Sequence, residues 1–136
     1  MQQIYKKLTR LIQWFVLTLA ATTSLNARAV SLGHITLESS LNQPLRASIL
    51  LGNVQRLTPQ DVRVGLAPRT AFQAMGVDWS SNLSDLDFRA VSSESGLRIE
   101  LSTEASIVEP YLNFVLELVW PNGRLVREYT VLLDPP

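Results

Sequence analysis

Tyr111 to Pro136 reads Y-L-N-F-V-L-E-L-V-W-P-N-G-R-L-V-R-E-Y-T-V-L-L-D-P-P. Two runs dense in Leu, Val and aromatic residues flank Trp120-Pro121-Asn122-Gly123. Turn residues between two β-rich runs predict a hairpin, and the closing proline pair stops its second strand. Two registers compete. Pairing Trp120 with Leu125 gathers Leu112, Phe114, Leu116, Leu118, Tyr129, Val131 and Leu133 on one face, with Arg127 its single charge, but sets Glu117 against Glu128. A three-residue loop, Pro121-Asn122-Gly123, brings Glu117 to Arg127 and breaks the apolar face with Arg124 and Glu128. Burying several large side chains at about 1.5–3 kcal/mol each outweighs one exposed ion pair, so the first register is preferred, with a bulge or four-residue loop taking up the proline.

The same period of two runs back through the chain. Leu45, Ala47, Ile49 and Leu51 alternate with Arg46, Ser48 and Leu50; Val62, Val64 and Leu66 with Arg63 and Gly65. Leu86, Phe88 and Ala90 alternate with Asp87 and Arg89, and Leu97, Ile99 and Leu101 with Arg98 and Glu100. Each run reads as a half-buried strand with one face in water. Ile35 and Leu37 supply a shorter opening strand. About seven strands in roughly 100 residues predict an all-β, immunoglobulin-like sandwich. Thr58-Pro59-Gln60-Asp61 reads as a single capped turn. Pro68 to Gly76 reads as one short helix, with Thr70 able to cap it, Phe72 and Met75 on one face and Gly76 in the left-handed closing position. Ser92 to Gly96 is a polar hairpin loop.

The first 29 residues read as a signal peptide. Lys6, Lys7 and Arg10 form a basic start, Leu11 to Ala21 is an apolar run of roughly half the length needed to span a bilayer, and Ala27-Arg28-Ala29 offers small residues to a signal peptidase. Cleavage is expected between Ala29 and Val30, leaving one domain at residues 30–136. That domain keeps eight Arg against twelve Asp and Glu, a net charge of minus four. Such a balance supplies neither the clustered basic face of a nucleic-acid binder nor a polybasic patch for anionic lipid. An exported chain without cysteine has no disulfide to lean on, so apolar packing must hold the sandwich together.

Catalytic chemistry finds little to stand on. The lone histidine, His34, sits beside Gly33 at the first strand with no patterned carboxylate or nucleophile, so a structural or solvent role is expected. Asp85 and Asp87, placed on one strand, share a face, yet calcium requires six to eight oxygens and the segment lacks a calcium-loop spacing; a solvated acidic edge is the plainer reading. Asn82-Leu83-Ser84 matches a glycosylation acceptor that the inferred compartment makes moot. Hence no catalytic residue, metal or cofactor is expected. Phe88, Phe114 and Trp120 fall in phase with the apolar positions of their strands and read as core. Trp79, in the polar setting Val77-Asp78-Trp79-Ser80-Ser81, does not, and is the candidate partner surface.

Long ordered motifs carry a family resemblance. L-G-H-I-T-L-E-S-S-L-N-Q-P-L-R-A at Leu32 to Ala47, G-V-D-W at Gly76 to Trp79, L-S-D-L-D-F at Leu83 to Phe88, E-P-Y-L-N-F at Glu109 to Phe114 and W-P-N-G-R-L-V-R-E-Y-T-V-L-L-D-P at Trp120 to Pro135 follow one another as in one domain. Together they resemble the N-terminal periplasmic domain of the FimV family, large Gram-negative envelope proteins linked to type IV pilus assembly. Longer members continue into a linker, a LysM peptidoglycan-binding module, a membrane span and a cytoplasmic helical-repeat part, and the sequence here ends at Pro136. The resemblance implies a noncatalytic periplasmic module that binds a protein partner in the cell envelope and serves pilus assembly, twitching motility or a related process. It implies no nucleic acid, no membrane span in the mature form, and no peptidoglycan contact without LysM. Two alternatives are a peptidoglycan or carbohydrate binder, which requires a LysM module or an exposed aromatic platform, and a truncated remnant of a longer protein of this type.

Overall fold

A computed structural model describes residues 2–19, 29–54 and 56–136. Alternation becomes burial most cleanly in the second strand, Pro44–Gly52 (β2), where Leu45, Ala47, Ile49 and Leu51 are buried between less buried neighbours. The remaining strands are Ser31–Leu37 (β1), Arg63–Leu66 (β3), Asp87–Ser93 (β4), Gly96–Ser106 (β5), Tyr111–Trp120 (β6) and Gly123–Leu132 (β7). They form two antiparallel sheets, β1-β2-β5-β4 and β3-β6-β7. Read as letters A to G in chain order, these are the ABED and CFG sheets of a seven-strand immunoglobulin sandwich. Leu45, Ile49 and Ile99 from one sheet and Phe114, Leu116 and Leu118 from the other are wholly buried between them. Rings fill the core as well: Phe88 meets Phe114 edge-on across the sheets at 6.1 Å, and Phe114 stacks at 5.9 Å on Tyr129, its cross-strand neighbour in the same sheet.

The terminal hairpin keeps the preferred face but not the preferred register. Trp120 lies opposite Gly123, not Leu125, and only Pro121 and Asn122 form the turn. The slip is two residues, and because side chains alternate with a period of two, every residue stays on its face. It also removes the like-charge conflict. Glu117 now lies opposite Val126, Glu128 opposite Val115, and the Glu117 carboxylate accepts a hydrogen bond from Arg124 Nε at 2.6 Å. Two-residue hairpin loops favour turns with positive φ at the first central position, which the proline ring forbids, and Asn122 is not in the left-handed region either. In this unprimed turn the Trp120 ring covers Gly123: a Cβ there would sit 2.7 Å from Trp120 Cζ2. Gly123→Ala is therefore expected to displace the indole and cost about 1–3 kcal/mol, an overpacking loss. Gly65→Ala, whose added carbon meets nothing within 4 Å, is the near-neutral control. A Gly123→Ala chain with an unshifted urea midpoint and unshifted Trp120 indole resonance would contradict this packing.

Several local expectations are corrected. The short helix, Arg69–Met75 (α2), starts from Pro68, so Thr70 lies inside it and does not cap it. Gly76 does close it in the left-handed region, with Val77 N–H donating to Phe72 O at 2.9 Å; Phe72 is buried, whereas Met75 is exposed. At the capped turn, Asp61 accepts from both Thr58 N and Thr58 Oγ1, at 2.7 and 2.8 Å, and those bonds hold its carboxyl below the usual range. Asp85 does not share a strand with Asp87. It ends a 3-10 turn, Ser81–Asp85, and accepts from Ala105 N at 3.1 Å, while Asp87 opens β4. His34 lies within β1, exposed, at a bulge between Leu32 and Ile35. The Ser92–Gly96 loop is tighter than expected, with Ser93 paired to Gly96.

The N-terminal segment forms an 18-residue helix, Gln2–Leu19 (α1), and no described helix is long and apolar enough to cross a membrane. Ala27 and Arg28 lie outside the described residues. Val30 is already in the core, 8% exposed, and Asn53 Nδ2 donates to Ala29 O at 3.0 Å.

Candidate interaction surface

Arg127, the one charge on the apolar face of the hairpin, has a structural answer. The β1 bulge turns the carbonyls of Leu32 and Gly33 away from β2. Arg127 Nη1 donates to both, at 3.2 Å to Gly33 O, and Tyr129 Oη donates to Gly33 O at 2.8 Å. The guanidinium also lies 5.0 Å from the centroid of the Tyr129 ring. Burial pushes the Tyr129 phenol up, with Arg127 pulling the other way. Farther along the seam, Leu41 N donates to Asp134 O at 2.9 Å. Side chains thus link β1 to β7, one backbone bond links the segments that follow them, and that part of each edge is occupied.

A different edge is left open. Leu133 N donates to Pro110 O at 2.8 Å, so the even residues of β6 turn their backbone groups toward β7 and the odd ones toward β3. β3 pairs with β6 only from Val119 to Leu116, and Ala67 N adds a last rung to Val115 O at 2.9 Å. Beyond that rung the chain leaves as α2. The odd residues Asn113 and Tyr111 therefore face a place with no strand in it, and among the described residues their N–H and C=O groups on that side have no backbone partner.

That place is a cleft of about 350 Å³. Asp78, Ser80 and Asn82 line one wall; Glu109, Tyr111 and Asn113 line the other. The segment between α2 and β4 can form its wall because Gly76 reverses the chain, while Val77 and Leu83 anchor it in the core at 5% and 1% exposure. Across the cleft Asn82 Nδ2 donates to Glu109 Oε2 at 3.1 Å, and Asn82 Oδ1 has no partner. Asp78 and Glu109 are its only charged lining residues, so its field is negative. Tyr111, 52% exposed, stands at the rim, while its cross-strand neighbour Leu132, 68% exposed, lies on the β7 side of β6, away from the cleft.

Trp79 lies beside this cleft, flanked by two lining residues, but it is not an open platform. It is half-buried, with Phe72 edge-on at 4.9 Å and the Arg69 guanidinium 5.1 Å from its ring centroid. His34 lies on β1, in the other sheet, and no group of three His, Asp or Glu side chains among the described residues is arranged to hold a metal. Trp120, Pro121, Asn122 and Gly123 stand at the far end of β6 from the cleft. Sequence reasoning missed the cleft, because its walls come from separate segments with no shared period. One signal was present: Tyr111 is out of phase with Leu112, Phe114, Leu116 and Leu118, which places its ring outside the core.

Comparison with known proteins agrees with this architecture. Residues 30–136 match the family model for the FimV N-terminal domain, an Ig-like domain. Curated relatives named "Motility hub protein FimV", from Pseudomonas aeruginosa strains PAO1 and UCBPP-PA14, are each 48% identical over 115 residues. That alignment covers 84% of this chain and 12% of each relative, so the chain spans only a small part of their length. No solved structure shows a significant match. With the family model covering the whole sandwich, the chain belongs to the FimV N-terminal domain family.

Proposed function

We propose that this chain is a noncatalytic protein-interaction module that acts in the periplasm, in type IV pilus assembly, twitching motility or a related envelope process. Family membership and the relatives' description as motility hubs support the process, since a hub works by holding partners. The observation that carries the interaction is the unpaired stretch of β6 at Tyr111 and Asn113, because an open strand edge supplies main-chain affinity for an added segment. Export is supported by the basic start of α1 and by the core beginning at Val30, next to the expected cleavage site after Ala29. Peptidoglycan binding is the weaker reading, because Trp79 is held between Phe72 and Arg69.

Deleting the gene in its host tests the reading. Pilus-dependent motility or a related envelope process is expected to fail and to return with the intact copy. The purified chain is expected to stay in the supernatant when peptidoglycan sacculi are sedimented. Strong co-sedimentation lost on Trp79→Ala would instead make it a carbohydrate binder, and unimpaired envelope function after deletion of every copy would remove the assembly role.

A further inference from the structure

The cleft beside β6 specifies the chemistry of its occupant, and we infer that it receives a short, extended, basic segment of a protein partner that continues the line of β3. This deepens the interaction-module reading and rests on it. Three independent features converge. First, β3 stops at the Ala67–Val115 rung while β6 runs on to Tyr111, leaving the Asn113 and Tyr111 backbone groups aimed at the empty place of a strand. An incoming segment of two or three residues satisfies them by the same antiparallel pairing that β3 uses.

Second, the walls discriminate by charge. Asp78 and Glu109 face the space from opposite sides, and no Arg or Lys lines it. An acidic or neutral segment leaves both carboxylates uncompensated, whereas an Arg or Lys side chain on the added strand meets them with charge-assisted hydrogen bonds. Acceptors stand unmet as well. Glu109 already takes the Asn82 amide N–H, leaving Asp78, the second Glu109 oxygen and the carbonyl of Asn113 to be supplied from outside. Third, Tyr111 lines the cleft and is 52% exposed. Its side chain can cover the residue opposite it on the added strand, and its ring offers its face to a cation.

The α2–β4 connection sets the size of what fits. It holds the far wall through Val77 and Leu83, and the Asn82–Glu109 bond limits the space, about 350 Å³, to a short segment. Where β7 runs beside β1 it is engaged by Arg127 and Tyr129, whereas the β6 stretch at Asn113 and Tyr111 faces the cleft unpaired.

The test uses the 15N-labelled chain and a synthetic probe, acetyl-Val-Arg-Val-Arg-Val-amide, with the Glu-for-Arg pentapeptide as its counterpart. The basic probe is expected to shift the Asn113 and Tyr111 amides and slow their hydrogen exchange, with the acidic probe weaker by roughly tenfold or more and the response fading as salt rises. Asp78→Asn with Glu109→Gln leaves the cleft's shape intact and is expected to weaken the basic probe roughly 3- to 10-fold. Asn113→Pro removes an N–H that faces the cleft and not β7, so it is expected to abolish binding while the β6–β7 ladder survives. Unmoved Asn113 and Tyr111 amides at millimolar probe, or equal responses to both peptides, overturn the inference. So does an N-acetylglucosamine tetramer that moves the same amides regardless of the two charge-removing changes, since that makes the cleft a sugar site. A motility defect on deletion without a peptide response removes this site and leaves the module; a peptide response without any envelope defect does the reverse.

Discussion

Phe114→Ala is expected to cost about 3–5 kcal/mol, the range for deleting a buried aromatic ring from a core. Phe114 is wholly buried, and its ring joins the sheets: it meets Phe88 of β4 edge-on and stacks on Tyr129 of β7. Truncation therefore empties a volume that neighbours from two separate sheets cannot both collapse into. With no cysteine in the chain, no cross-link limits the loss. A domain of this size has about 5–15 kcal/mol in all, so the variant retains a small margin and melts tens of degrees lower. Phe114→Leu keeps most of the volume and is expected to cost less than about 1.5 kcal/mol. Urea titration of both separates cavity formation from a general sensitivity of β6. If the alanine variant loses less than about 1 kcal/mol, the ring does not tie the sheets as the geometry requires.

That core was legible because alternation is a strong and local signal. Leu45 to Leu51 and Leu112 to Leu118 each state which face is inward, and the strand count does the rest. Register was not legible, since slipping the terminal hairpin by two residues changes no residue's face and so leaves no trace in the apolar pattern. The choice was made by contacts that sequence patterning does not price: Trp120 covering Gly123, Arg124 reaching Glu117, and Val126 replacing Glu128 opposite Glu117. Val115 shows the limit from another side. It is on the odd face of β6 yet fully buried, beside the last rung from Ala67, so its burial depends on the departing chain and not on its own strand's period.

The candidate site belongs to the less legible class. Asp78 and Glu109 are far apart in sequence and meet across a cleft only because β3 ends early and the α2–β4 connection crosses beside β6. Trp79 drew attention through its polar setting, but Phe72 and Arg69 occupy its ring, and its exposed neighbours Asp78 and Ser80 line the cleft instead. Asp85 misled in a related way. Its spacing from Asp87 fits a strand, whereas the buried Leu83 in the 3-10 turn and the bond to Ala105 N hold it outside one.

Arg127→Met is expected to cost about 1.5–3 kcal/mol, the range for hydrogen bonds made by a charged group, even though methionine keeps the apolar stem. The guanidinium is the donor to two carbonyls that the β1 bulge turns away from β2, and without it Leu32 O loses its only side-chain partner. Tyr129→Phe removes the other bond to Gly33 O and is expected to cost about 0.5–1.5 kcal/mol by itself. The two donors share that one acceptor, which decides how they combine. Either substitution alone leaves Gly33 O with a partner, whereas both together leave it with none. The double variant is therefore expected to lose at least about 0.5 kcal/mol more than the sum of the single losses. Urea midpoints of the four chains close this cycle. Strict additivity would mean that water satisfies the carbonyl once both donors are gone, so that the two bonds act independently. A positive coupling instead makes the Arg127–Gly33–Tyr129 cluster the clasp of that side of the sandwich. It then follows that weakening the clasp frees the β1 and β7 edges, so the double variant should also self-associate more readily, as sedimentation velocity would register.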